Sequence, residues 1–275
     1  MKYLTKAAAF FAASFLFALP AAAQKAYEPQ VGQAGKDVIW VPTPDEVVNR
    51  MLRMAQVTAN DLVFDLGAGN GKIAIAAAKL GAKAVGVEYN PDLAKHAQGN
   101  VVAAGVTDKA RIVQGDIFAT DFSQATVVTM YLLPALNMKL RPTILSMRPG
   151  TRVVSHSFTM EDWEADEISS MDGRRAYFWV VPAQVNGSWA LEAGSEKSEI
   201  AFEQRFQKIE GTVSFGAAMQ GGLRDARLRG FSIGFAIADN NGVLKNYSGR
   251  VTNGKMEGNW RGDNGSEGRW SATKK

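Results

Sequence analysis

Cysteine is absent from this 275-residue chain, and histidine occurs only as His96 and His156. The first absence excludes disulfide scaffolds, thiolate zinc sites, iron–sulfur clusters and cysteine nucleophiles. The second excludes a polyhistidine centre, and no bound metal is expected. Charge of one sign is scarce as well. A net charge of +4 does not argue for nucleic acid, and no such partner is expected. Long apolar runs are limited to Ala7–Leu19, whose 13 residues fall short of the roughly 20 a membrane helix needs. What is present is ordinary for a folded chain: 46% hydrophobic and 21% charged residues.

The apolar run has a recognisable setting. Lys2 and Lys6 precede it, Pro20 ends it, and Ala21-Ala22-Ala23 stand before Gln24. A basic start, a short apolar stretch and small residues at the exit describe a secretory signal peptide. Residues 1–23 are therefore expected to be cleaved and the protein exported, periplasmic or secreted. No transmembrane segment is expected in the mature chain.

After a linker, residues 24–37, the chain falls into two regions. In residues 38–193, β-like runs alternate with helical ones. Thr43-Pro44-Asp45-Glu46 reads as a helix start, with Thr43 as cap and Pro44 in the first turn. Strands are expected at Leu62–Phe64, Ala84–Val87, Arg111–Val113, Ala125–Met130 and Arg152–Val154. Such alternation predicts a parallel sheet with helices on both faces. Asn186-Gly187 then reads as a hairpin turn closing that sheet. Residues 194–275 hold 14 of the chain's 27 glycines, and Asn-Gly recurs at 241, 253 and 264. This predicts a small antiparallel β domain, a meander or barrel of about six to eight strands.

The chemistry concentrates where the first strand meets a helix. Asp65-Leu66-Gly67-Ala68-Gly69-Asn70-Gly71-Lys72 places three alternate glycines directly after a strand. Glycine lets the backbone turn tightly and lets a ligand approach closely. The loop is not a P-loop, which needs glycine at 66 and Ser or Thr at 73; Leu66 and Ile73 stand there. Nor is it a dinucleotide fingerprint, whose third glycine belongs at Lys72. Glu88 ends the second strand, where an acid can accept both hydroxyls of a ribose. Asp116 follows the third, where an acid can accept from an adenine amino group. In open parallel sheets, ligands bind at these strand ends.

These residues resemble the motifs of class I, seven-β-strand, S-adenosyl-L-methionine-dependent methyltransferases. Trp40-Val41-Pro42-Thr43-Pro44, Tyr131-Leu132-Leu133-Pro134, Pro149–Ser155 and Asp162-Trp163 narrow the resemblance to a group of protein-lysine methyltransferases that includes mitochondrial enzymes. The resemblance implies a Rossmann-like α/β fold and S-adenosyl-L-methionine as cofactor. Gly67, Gly69 and Gly71 would wrap its amino-acid part and Asp65 would fix its ammonium. Glu88 would hold the ribose, Asp116 the adenine, and Thr43 would reach it from the opposite side. Such enzymes place acceptor-facing residues where Tyr131 ends strand four. Tyr131, Leu133, Pro134 and Trp163 are expected to form an acceptor wall, with core packing as the other reading of Tyr131 and Trp163. His156, after strand five, reads as either a base or a structural residue. Many relatives have Asp-Gly-Arg where this chain has Asn70-Gly71-Lys72.

The implied reaction is methyl transfer to a lysine of a protein substrate. Export conflicts with a cofactor made in the cytoplasm. The alternative is therefore an exported, non-catalytic binding protein that keeps the fold.

Overall fold

The computed structural model describes residues 27–216 and 220–275. The expected signal peptide lies outside them. Seven strands form one mixed sheet: β1 (Leu62–Leu66), β2 (Lys83–Glu88), β3 (Ala110–Gln114), β4 (Val127–Met130), β5 (Arg152–His156), β6 (Glu167–Met171) and β7 (Arg174–Val180). Their order is β3-β2-β1-β4-β5-β7-β6, and every pairing is parallel except those of β7. Connections run one way from β1 to β3 and the other way from β4 onward. The carboxyl ends of β1 and β4 therefore flank a crevice, the usual ligand position in such sheets.

Both faces of the central strands are apolar, as a doubly covered sheet requires. Val63 and Val154 point to the face packed by α1 (Asp45–Met54), α2 (Lys72–Lys79) and α3 (Pro91–Ala103). Phe64, Val128 and Val153 point to the other, where α4 (Pro134–Leu145) packs together with Met160 and Trp163. Among the described residues, helices thus cover the faces unequally, three against one.

Two local expectations are corrected. Thr43 does not cap α1: Pro44 holds the N-cap position, and the Thr43 hydroxyl turns inward to within 3.3 Å of His156 Nδ1. Asn186-Gly187 is not the hairpin that closes the sheet. The closing turn is Asp172-Gly173 between β6 and β7, with φ of 48° and 75°. A two-residue type I′ turn needs both central residues at positive φ. Of Asn186 and Gly187, only the glycine has it.

The boundary between the two regions shifts in consequence. Gly187 opens β8 (Gly187–Ala193), which pairs with β9 (Glu196–Arg205) and with the last strand, β16 (Glu267–Lys274). The second sheet therefore begins at 187 rather than 194. Among the described residues it has nine strands, of which residues 194–275 supply eight, within the range the glycine spacing suggested, in the order β11-β10-β9-β8-β16-β15-β14-β13-β12. Here β10 is Lys208–Ser214, β11 Gln220–Gly222, β12 Arg224–Arg229, β13 Ser232–Ala238, β14 Leu244–Thr252 and β15 Lys255–Gly262. Its edge strands β11 and β12 are joined through Leu223 alone, so the sheet curls until it nearly closes. Trp189, Phe202, Phe235, Tyr247 and Trp270 fill the interior.

The barrel is seated on the first sheet. Ala183 N donates to Gly230 O at 2.7 Å, and Phe231 covers Gly150. Lys208 pairs with Glu164, and Arg205 with Asp162. The segment before α1 also differs from its expected role as a linker. An Ala34–Ile39 bridge and a Gly32 N–Trp40 O bond fold residues 32–40 into a strap.

Candidate active site

A cavity of about 290 Å³ opens at the carboxyl ends of β1, β2, β3 and β4, with the strap as its outer wall. Thr43, Asp65, Gly67, Gly69, Glu88, Asp116 and Tyr131 all line it, although they come from well-separated places in the chain.

Asp65 is the deepest. It sits inside β1 and accepts a 2.8 Å hydrogen bond from Thr129 Oγ1 on β4. Burial pushes its carboxyl up to about 7; the Thr129 bond opposes this and Glu88 adds to it. A carboxylate in that state gains most from a cationic donor, which an α-ammonium group supplies.

Glu88, at the end of β2, is held by two backbone groups. Its Oε2 accepts from Gly69 N and its Oε1 from Asn90 N, both at 2.9 Å. These bonds orient the carboxylate across the glycine loop, while burial raises its pKa. Asn90 also caps α3, accepting from Asp92 N and Leu93 N.

Asp116 lies past β3. Its Oδ1 accepts from Phe118 N at 2.9 Å, and its Oδ2 pairs with Lys36 Nζ at 2.8 Å. The Lys36 bond holds its carboxyl below the usual range.

The loop glycines have positive φ: 81° at Gly67, 55° at Gly69 and 80° at Gly71. A Cβ would strike Leu132 at Gly67 and the Trp40 indole at Gly69. Gly71 does not line the cavity. It precedes α2, and a Cβ there would press on Ile112 and Ala97. Its part is to let α2 pack against α3 and β3. Asn70, in place of the usual acid, accepts from Lys72 N, and its carbonyl accepts from Asn100 Nδ2.

At the other end Tyr131 lies between two rings, with centroids 4.0 Å from His156 and 6.1 Å from Phe158. Leu132, Leu133 and Leu136 complete an apolar wall. His156 is fully covered, and its Nε2 has no hydrogen-bond partner. Burial, with the Arg174 charge, lowers its pKa to about 4. Its ring contacts are with Tyr131 and with the Thr43 hydroxyl.

Trp163 is not part of this wall. It is fully buried beneath the cavity in the layer that α4 covers, between Trp179 and Phe206, each with centroids 6.0 Å away. Phe206 belongs to the turn between β9 and β10, so Trp163 anchors the barrel. Pro134 starts α4 and does not line the cavity. Sequence reasoning missed Lys36, Trp40, Tyr89 and Phe158 as lining residues. Trp40 stood inside a motif of the resemblance; the others carried no signal.

Sheet order and cavity together define a methyltransferase of the seven-strand class, whose cofactor is S-adenosyl-L-methionine. The acids and the loop fit that group: a buried acid for an ammonium, an oriented carboxylate for a diol and a third acid for an amine.

Comparison with known proteins narrows the class. Residues 65–167 match the family described as the ANTKMT methyltransferase domain. A protein-lysine N-methyltransferase of Saccharolobus islandicus is 47% identical over 138 residues, 49% of this chain and 86% of that protein. A Mus musculus lysine N-methyltransferase, named for the ATP synthase, is 33% identical, over 47% of this chain and 53% of that one. A crystal structure described as an RNA methyltransferase from Salinibacter ruber, in complex with S-adenosyl-L-homocysteine, has 48% identity and a TM-score of 0.52. It covers 53% of this chain and 96% of its own. The chain belongs to the class I S-adenosyl-L-methionine-dependent methyltransferases, in the protein-lysine methyltransferase group.

Proposed function

We propose that this protein transfers a methyl group from S-adenosyl-L-methionine to the side-chain nitrogen of a lysine in a protein substrate. The observation that carries the reading is the meeting, in one cavity, of Asp65, Glu88 and Asp116 with an apolar wall of Tyr131, Leu132, Leu133, Leu136 and Phe158. Asp65 would hold the cofactor's ammonium, Glu88 its ribose and Asp116 its adenine. The bound cofactor supplies an electrophilic methyl group on a sulfonium.

The chain's own contribution is position and dryness. A lysine is nucleophilic only when neutral, and an apolar wall lowers its pKa by withdrawing water from the ammonium. Tyr131, braced by His156, would set the approach of that side chain. Holding reacting atoms in line makes transfer from an activated donor effectively unimolecular. Export is part of the proposal, supported by the signal-like pattern of residues 1–23. Among the described residues no helix is long and apolar enough to cross a membrane.

Calorimetric titration with S-adenosyl-L-methionine and S-adenosyl-L-homocysteine tests the site, with Glu88→Ala as control. Micromolar binding lost in the variant supports it; no binding to either ligand sinks the enzyme reading. Labelled methyl transfer into an extract tests the acceptor. Label released by protease supports protein; label released only by ribonuclease overturns it. Recovery of the processed chain outside the cytoplasm tests export, and an unprocessed chain retained inside refutes it.

A further inference from the structure

We infer that Lys36 belongs to the cofactor site, its ammonium holding the place of the adenine amino group on Asp116 until adenine displaces it. The inference rests on the cofactor reading above and goes beyond it, because the strap lies outside the strand-end motifs that define the site.

Asp116 has two oxygens to offer. Oδ1 is committed to the backbone, accepting from Phe118 N at 2.9 Å. Oδ2 is the one available to a ligand, and Lys36 Nζ lies 2.8 Å from it. The same ammonium stands 4.8 Å from the centroid of the Tyr89 ring. A carboxylate oxygen beside an aromatic face suits a flat amine, which donates to the one and stacks on the other. Lys36 meets the same two features with one cation.

The placement is built rather than incidental. Lys36 and Asp116 are 80 residues apart in sequence. The strap turns tightly around Lys36, with Gly35 N donating to Val38 O at 2.9 Å inside the Ala34–Ile39 bridge. A Cβ on Gly35 would lie 2.3 Å from Val38 O, so the turn requires glycine there. Trp40 anchors the strap's far end over Gly69.

Lys36 is 37% exposed and Asp116 29%, so the pair is partly solvated and its strength modest. A competitor of that strength lowers ligand affinity by a factor of about two to five. Salt screens such a pair. The native protein's affinity for adenosine, which brings no ammonium to Asp65, should therefore rise with salt.

Calorimetric titration of the purified protein with S-adenosyl-L-homocysteine, adenosine and inosine, at low and high sodium chloride, tests this. Lys36→Ala and Lys36→Gln should bind S-adenosyl-L-homocysteine and adenosine about two- to five-fold more tightly at low salt. The gain should shrink at high salt. Inosine lacks the amino group and should show little gain. Unchanged or weaker binding of S-adenosyl-L-homocysteine by both variants, with the native protein still binding it, overturns the Lys36 inference alone. A gain equal for inosine and adenosine overturns it too, because the amine would then not be the group replaced. No binding by any form overturns the cofactor reading and this inference together.

Discussion

Trp40 Nε1 lies 2.5 Å from the point where a Cβ on Gly69 would stand. Gly69 is thus required twice, by its φ of 55° and by the indole that fills the space above it. Gly69→Ala should lower Tm, and lower it less in a Trp40→Ala background, where the indole is gone. The coupling in that double-mutant cycle separates collision from backbone strain, which remains in both backgrounds. Equal losses in the two backgrounds would mean that the indole moves aside without cost.

Asp65 sets stability against binding. Its carboxyl titrates near 7 in the fold and near 3.8 when unfolded. Between those values the folded form holds the proton more tightly, so stability falls as pH rises and levels off above about 7. Asp65→Asn keeps an acceptor for Thr129 without the charge. It should raise the Tm of the ligand-free protein at pH 8, by an amount on the order of 2–4 kcal/mol in stability, and flatten that slope. It should also weaken S-adenosyl-L-methionine binding, measured by calorimetry. A variant no more stable than the native protein at pH 8 would contradict the burial argument.

His156 gives the opposite slope within the same window. It titrates near 4 folded against 6.5 unfolded, so the unfolded chain takes the proton first as pH falls. Stability from this group is present above about 6.5 and is lost toward 4. His156→Asn removes that titration and keeps a polar group beside Thr43. Its urea midpoint should fall less between pH 6.5 and 4.5 than that of the native protein. Parallel curves would assign the acid sensitivity to other groups.

Trp163 separates packing from chemistry. Trp163→Ala should cost about 3–5 kcal/mol, since it empties the layer between the sheet and Phe206. Trp163→Phe should keep most of the stability and leave the affinity for S-adenosyl-L-homocysteine unchanged. A large loss of affinity in the Phe variant, with Tm preserved, would return Trp163 to the site.

Much of the fold was legible because local signals agreed with the global plan. Apolar runs marked β1 to β5, Asn90-Pro91 marked α3, and three glycines after a strand marked the loop. The misreadings share one cause. Asn186-Gly187 has turn chemistry, but β8 found its partners in β9 and β16, and only Gly187 took positive φ. Thr43 has capping chemistry, but His156, 113 residues away, lies beside its hydroxyl. Trp163 stood in a motif of the resemblance, but Phe206 from the second sheet covers it.

The sequence alone determined the residues whose role depends on their own backbone and immediate neighbours: strand, glycine turn, and acid at a strand end. Those residues pointed to a nucleoside-like ligand, and the family resemblance of their motifs implied S-adenosyl-L-methionine. Tertiary structure decided which side chains share a space. It brought Lys36 to Asp116 and Trp40 to Gly69, set Tyr131 between His156 and Phe158, and withdrew Trp163 into the barrel contact. The physical reason is that backbone preference is local, whereas a contact between residues far apart in the chain exists only once the sheets have packed.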